Sequence, residues 1–263
     1  MRKLVIGLLA LVGLLVLVDF GAAAYAEYRL SRELRDGADL DSDPSVTIRG
    51  FSFLAQAVNG KYEGVDIRAQ GVRSAELGEV VLEASLEGAS IPIGELVDGT
   101  VTTVPADKLY GRIKIDATEL GQLYGIPDLQ VSAPAADKSD GTGGTGGSGT
   151  TTDSGVVLTG TIPIGDAEQQ VSLRADLVLD GNRVHIVARD FATEADGAPA
   201  TSTIPVDVDV VRPVVLARFG RTIDTRALPF GVVPTGVSAQ GSQIVIEGEG
   251  QNVVIDLEKL RTP

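Results

Sequence analysis

Hydrophobic residues fill the first part of the chain without interruption. After a Met-Arg-Lys start, every residue of Leu4–Val18 is apolar. A short positive segment before an apolar run is typical of an export signal. An Ala-Tyr-Ala tripeptide ends at Ala26, so one interpretation of residues 1–26 is a signal peptide that is cleaved there. The alternative is an uncleaved membrane anchor, because Leu4–Ala24 matches the roughly 20 residues of a transmembrane helix.

Polar positions enter the pattern at Asp19. A carboxylate near the centre of a spanning helix costs about 2.5–3.5 kcal/mol, so Asp19 fits the outer rim of an anchor better than its centre. Small and aliphatic residues then recur every fourth position, with charged residues on the other faces: Ala22, Ala26, Leu30 and Leu34. This spacing predicts an amphipathic helix that continues from the hydrophobic segment. Residues 27–44 are assigned to this helix and its exit loop.

From Ser45 the apolar positions recur every second residue, which is typical of half-buried antiparallel strands. The alternating segments are 65–70, 80–87, 111–116, 171–179 and 184–188, followed by a meander over 232–238, 243–249 and 252–257. An Asp-Gly-Asn sequence at 180–182 predicts a hairpin turn, and a Gly-Gln pair at 250–251 predicts a turn inside the meander. A short helix is predicted over Ala117–Tyr124. Few helices among many strands predict a β-dominated α+β fold.

The alternation stops completely in residues 133–154. The centre of this stretch, Asp140–Thr150, consists almost entirely of glycine, threonine and serine. It offers no apolar side chains to offset the entropy of ordering. We therefore predict a disordered segment, which either links two domains or forms a long insertion within one.

Composition removes several classes of protein. The chain has no cysteine, which excludes a disulfide framework and a lipid-modified lipoprotein. The formal charge of −14 disfavours binding to nucleic acid. The same charge weakens attraction to anionic headgroups, so contact with lipid would have to use apolar surface.

Candidate chemistry is sparse. The only histidine, His185, lies in a predicted strand, where a solvated side chain is the ordinary interpretation. One histidine without cysteine excludes zinc sites built from those ligands, and no G-x-S-x-G motif presents a nucleophilic serine. We expect no catalytic residue, no cofactor and no metal. Acidic residues are numerous, so a carboxylate-based hydrolase stays open as a third hypothesis.

Two aromatic clusters stand out from this background. One is Gly50–Leu54, directly after a predicted strand, and the other is Leu228–Val232. Core packing is the ordinary interpretation of both, and the lining of an apolar cavity is the functional one. The candidate lipid-binding residues are Phe51, Phe53, Leu54, Leu228 and Phe230. If the strand continued through the first cluster, Phe51 and Phe53 would share a face, whereas after a turn at Gly50 they would instead crown an opening.

These clusters also carry a resemblance. The order of Pro44–Leu54, Gly60–Arg68 and Leu228–Val232 after an export segment is similar to the LmeA-like phospholipid-binding family of actinobacterial cell envelopes. The similarity spans roughly residues 20–257, with Asp140–Thr150 as an insertion. It implies one domain over 45–261, built on a long curved antiparallel sheet that forms an elongated, tubular lipid-binding fold with an apolar tunnel.

The same resemblance also implies a location, partners and a role. It implies a non-enzymatic protein on the periplasmic side of the cytoplasmic membrane, with phospholipid and membrane as partners. In mycobacteria the family is tied to the assembly of envelope mannan, a lipoglycan component. The alternative from another class is a scaffold protein of the envelope, which would have a filled β core and bind a protein through an edge strand.

Overall fold

The computed structural model describes residues 2–37, 40–74, 77–98, 100–132, 153–165, 167–193, 208–225 and 232–256. Strands account for 52% and helices for 33% of these residues. The predicted β-dominated α+β class is therefore confirmed. The predicted segment 133–154 lies outside the described residues, apart from the backbone of Asp153 and Ser154.

Within these residues the chain forms five helices and eleven strands. The helices are α1 Arg2–Gly37, α2 Phe53–Asn59, α3 Ile93–Asp98, α4 Ala117–Tyr124 and α5 Val208–Phe219. The strands are β1 Ser45–Arg49, β2 Lys61–Ser74, β3 Gly78–Ser90, β4 Thr103–Asp116, β5 Gln130–Ser132, β6 Asp153–Ile164, β7 Ala167–Asp180, β8 Arg183–Phe191, β9 Arg221–Asp224, β10 Val233–Gln240 and β11 Gln243–Asp256.

The strands make two antiparallel sheets. One has six strands in the order β1-β2-β3-β4-β11-β10, and the other has five in the order β5-β6-β7-β8-β9. Neighbours along the chain are mostly neighbours in the sheet, as hairpin connections favour. The hairpin predicted at 180–182 is confirmed, because Asp180 pairs with Arg183 across a two-residue turn.

The chain divides into two compact units. The first comprises Met1–Val72, Leu82–Gly111 and Glu249–Pro263, and the second comprises Arg73–Val81 and Arg112–Gly248. Buried side chains of the first unit include Phe53, Tyr62, Val65, Leu86, Leu96 and Leu109. Those of the second include Leu120, Ile126, Leu158, Leu173, Leu177, Phe219 and Ile244. Aliphatic residues dominate both cores, as the low aromatic content requires.

Helix α1 is one uninterrupted helix about 54 Å long at about 1.5 Å per residue. It is long and apolar enough to cross a membrane. Its first part, up to Val18, is exposed along almost its whole length, whereas Asp19, Ala26, Leu30 and Ser31 are buried. The predicted hydrophobic and amphipathic segments are thus a single element, and the second of them packs into the first unit.

Two further local predictions meet a definite outcome. Helix α4 has the predicted bounds, Ala117–Tyr124. The predicted turn at 250–251 is wrong, because β11 continues from Gln243 to Asp256. Asn252 adopts a φ of 51° within that strand, a left-handed conformation that asparagine tolerates better than most residues. Asn252 therefore accommodates an irregularity inside the strand.

Candidate lipid-contact site

The chain leaves β1 through a sharp turn at Gly50. The φ of Gly50 is +101°, which glycine adopts without strain. A Cβ there would also approach the Glu63 carboxylate to 2.7 Å and the Gln56 amide nitrogen to 2.9 Å. Of the two geometries considered for Phe51 and Phe53, the structure has the turn. The strand ends at Arg49.

Helix α2 begins directly after this turn and is capped twice. The Ser52 hydroxyl accepts a hydrogen bond from the Ala55 amide and donates one to Asp19 Oδ1 at 2.5 Å. The same carboxylate accepts from the amides of Phe53 at 3.0 Å and Leu54 at 2.8 Å. These are first-turn N–H groups that have no partner within the helix. Asp19 of α1 thereby fixes the start of α2.

The burial of Asp19 makes its hydrogen bonds to the start of α2 important for the fold. Asp19 is only 6% exposed, and a buried carboxylate is costly unless hydrogen-bond donors surround it. Here three donors converge on it, and the positive end of the α2 peptide dipoles lies at the same place. The Asp19 carboxylate consequently holds the end of the apolar run of α1 against the start of α2.

The candidate residues of the first cluster separate into two groups. Phe51 is 70% exposed and Leu54 is 37% exposed, whereas Phe53 is 7% exposed. The Phe53 ring packs against Tyr62 with 6.2 Å between centroids. The structure therefore brings Phe51 and Leu54 to the surface and puts Phe53 in the core. Leu228 and Phe230 lie outside the described residues.

The surface of α2 is unusual for a short helix. Its inner face consists of Phe53, Gln56 and Ala57, and Gln56 Oε1 accepts from the Glu63 amide at 2.8 Å. Its outer face carries the apolar Leu54, Ala55 and Val58, and Val58 is 77% exposed. Both faces are thus largely apolar, although one of them faces outward.

Helix α3 repeats this arrangement. Its exposed large apolar residues are Ile93 and Val97, while Leu96 is buried. Helices α2 and α3 both pack beside α1, and the Ile91 amide donates to the Gly60 carbonyl at the end of α2. Sequence reasoning missed both helices. The available signal was a pair of apolar residues four positions apart, which share a helical face.

Helix α1 is held to the first unit beyond Asp19 as well. Glu27 Oε1 accepts from the Ile48 amide of edge strand β1 at 2.7 Å, which blocks one donor of that edge. The Ser31 hydroxyl donates to the Pro44 carbonyl at 2.6 Å. The exposed aromatic side chains on this part of α1 are Tyr25 and Tyr28.

Among the other titratable groups, one histidine and two buried tyrosines stand out. His185 Nδ1 lies 2.9 Å from Thr222 Oγ1, as expected of a partly solvated strand histidine. Burial raises the pKa of Tyr62 and, more strongly, that of Tyr124. Across the described residues, no group of three or more histidine, cysteine or acidic side chains could hold a metal ion.

Comparison with known proteins identifies a family of lipid-binding proteins. The model of the LmeA-like phospholipid-binding family matches residues 17–249. The chain belongs to this family, as its sequence indicated. The match begins inside α1, two residues before Asp19, and includes α2 and α3. No curated protein and no solved structure was found to match the chain.

Proposed function

We propose that this protein is a non-catalytic, membrane-anchored phospholipid-binding protein of the cell envelope, with its folded part on the periplasmic side. The observation that carries the proposal is the family match over residues 17–249. The family is described by phospholipid binding, and the described residues present apolar surface beside a helix that is long enough to span a membrane.

The anchor is proposed to stay attached after export. Cleavage after Ala26 would remove Asp19, and the Phe53 and Leu54 amides would lose their acceptor. Those donors are part of the folded first unit, so cleavage would damage the fold. The mass of the intact protein taken from membranes should therefore include residues 1–26. A mature chain that begins at Glu27 would contradict the anchor.

The lipid contacts are proposed to include Phe51 and Leu54. Apolar contact contributes about 0.8 kcal/mol for each methylene removed from water, so recognition of acyl chains needs no charged clamp. Phe53 is proposed to support the site from the core through its contact with Tyr62. Leu228 and Phe230 keep their predicted role as further lipid contacts, and an apolar tunnel for the acyl chains is part of the same proposal.

The biological role is proposed from the family resemblance. A protein that takes up phospholipid next to its own membrane is suited to supplying or sensing lipid for envelope assembly. We propose a supporting role in the assembly of envelope lipids and lipoglycans, mannan included. No step of this role requires bond formation by the protein itself.

Native mass spectrometry of the full-length chain, released from detergent micelles, tests the proposal. The wild-type protein should carry a phospholipid mass through purification. A Phe51→Ser, Leu54→Ser double variant should retain much less. Val254→Ser is the matched control, because Val254 is 64% exposed on β11 and its change should leave retention unaltered.

Two results would decide against lipid binding. The first is a wild-type protein that is empty after purification and also fails to transfer fluorescent phospholipid between vesicles. The second is equal retention by the wild type, the double variant and the control, which would remove Phe51 and Leu54 from the site. An empty protein that binds a specific envelope protein would favour the scaffold role.

A further inference from the structure

The apolar run of α1 is shorter than the membrane it is proposed to cross. From Leu4 to Val18 the helix rises about 22 Å, whereas the hydrocarbon core of a bilayer is about 30 Å thick. A span that is too short must be compensated by thinning of the bilayer or by other apolar surface at its end. The positive start of the chain fixes the other end at Lys3.

The surface of α1 indicates where the hydrocarbon ends. Beyond Asp19 the helix shows Phe20 and then small apolar residues, and the next charged residue is Glu27. Tyr25 and Tyr28 are exposed just there, and tyrosine is enriched at membrane–water interfaces. From Leu4 to Tyr25 the rise is about 32 Å, which matches the thickness of the hydrocarbon core.

Asp19 then lies inside the outer leaflet. It is about 9 Å along the axis from Tyr25, on the membrane side. Ionisable residues at such depth are normally paired with protein groups, and Asp19 has three donors from Ser52, Phe53 and Leu54. Since these donors belong to the start of α2, that end of α2 lies at the same depth.

We propose that Phe51, Leu54 and Val58, here called the α2 surface, are embedded in the acyl-chain region of the outer leaflet that α1 crosses. The proposal rests on the retained anchor described above. It explains why the outward face of α2 is apolar, with Phe51 and Val58 among the most exposed large side chains beyond α1. It also adds apolar surface at the level of Asp19, where the carboxylate interrupts the apolar residues of α1.

This placement deepens the proposed function. Phe51 and Leu54 would meet acyl chains within the leaflet, at the depth where a phospholipid must begin to leave. The α2 surface therefore contacts bilayer hydrocarbon. It does not contact a groove on another protein or the aqueous headgroup layer.

The chain offers a clean experiment because it contains no cysteine. Single variants Phe51→Cys, Val58→Cys, Val12→Cys and Val254→Cys of the full-length protein carry one environment-sensitive fluorophore each. The proteins are reconstituted into phosphatidylcholine–phosphatidylglycerol vesicles, with and without lipids that bear a nitroxide on the acyl chain. Iodide in the buffer quenches those labels that are exposed to water.

Labels at positions 51 and 58 should show blue-shifted emission and be quenched by the acyl-chain nitroxide, as the label at position 12 is. The label at position 254 should be quenched by iodide only. Quenching of 51 and 58 by iodide, with 12 still quenched by nitroxide, would overturn the proposal and leave the anchor intact. Loss of nitroxide quenching at 12 would overturn the anchor and the proposal together.

Discussion

The hydrogen bonds between Asp19 and the start of α2 predict how much stability the Asp19→Ala substitution removes. The substitution leaves the Phe53 and Leu54 amides without an acceptor. A buried donor left unsatisfied costs about 1–3 kcal/mol; the Phe53 amide is buried, and that of Leu54 is partly so. Ser52 remains as an N-cap through its contact with Ala55. We expect the two amides to cost about 2–4 kcal/mol together.

For a chain of this size that loss corresponds to a Tm lower by roughly 5–10 °C. Thermal unfolding of the full-length protein in one detergent measures it. Asp19→Asn keeps an acceptor oxygen and should fall between the alanine variant and the wild type. Asp36→Ala is the control. Asp36 is on the same helix and forms a mostly exposed ion pair with Arg35, so its substitution should shift the Tm by less than about 2 °C.

Equal Tm values for Asp19→Ala and Asp36→Ala would refute the reasoning. Asp19 would then be a carboxylate whose hydrogen bonds water replaces at no cost. The retained anchor would lose its structural argument as well.

Three further predictions concern stability. Phe53→Ala should cost about 3–5 kcal/mol, measured by denaturant unfolding, and a loss below about 1 kcal/mol would mean that the ring is not part of the core. The Thr161 hydroxyl and amide donate to the Asp128 carboxylate and hold its pKa below the usual range. That contribution is present above the unfolded pKa of about 3.9 and is lost as the pH falls through the lower folded value. Asp128→Asn should therefore be less stable than the wild type at pH 7, and the difference in Tm should shrink below about pH 4; a difference that does not depend on pH would contradict this. Deleting Asp140–Thr150 should leave the Tm almost unchanged, since loop length contributes only about 0.6 kcal/mol per doubling, whereas two separate melting transitions in the intact protein would show two autonomous domains.

Many of the strands could be predicted from the sequence because their pattern is local, although β5, β6 and β9 were not predicted. Period-two alternation marks β2, β3, β4, β7 and β8 directly, since one face of each strand is buried. Helix α4 was equally accessible, with an N-terminal Asp116 and a C-terminal Gly125 at its ends. In these elements the choice of residues and the buried face agree.

Helices α2 and α5 could not be predicted in the same way. Helix α2 has only seven residues and is apolar on both faces, so it lacks the amphipathic contrast that marks a surface helix. Helix α5 contains Pro213 and several valines, which individually disfavour a helix interior. Tertiary packing, such as burial of Val215 and Phe219, outweighs those local preferences.

Only part of the candidate site could be predicted from the sequence, for a related reason. The sequence singles out the cluster at Phe51, Phe53 and Leu54, and the glycine before it suggests a turn. The role of Asp19 depends on a contact with residues 33 to 35 positions away. Pattern along the chain says nothing about such a pair. Val58 was overlooked because an exposed valine is unremarkable until its helix and the neighbouring span are known.

The continuity of α1 limits how this protein can work. No flexible segment separates the apolar run from the contacts at Asp19, Glu27 and Ser31. A domain on a long tether could carry cargo across the periplasmic gap to a distant acceptor. A domain fastened to its own anchor can only drift laterally and spin about the membrane normal. With α1 retained as the proposed anchor, its search for a partner would be two-dimensional, and an acceptor of lipid would have to reach the cytoplasmic membrane.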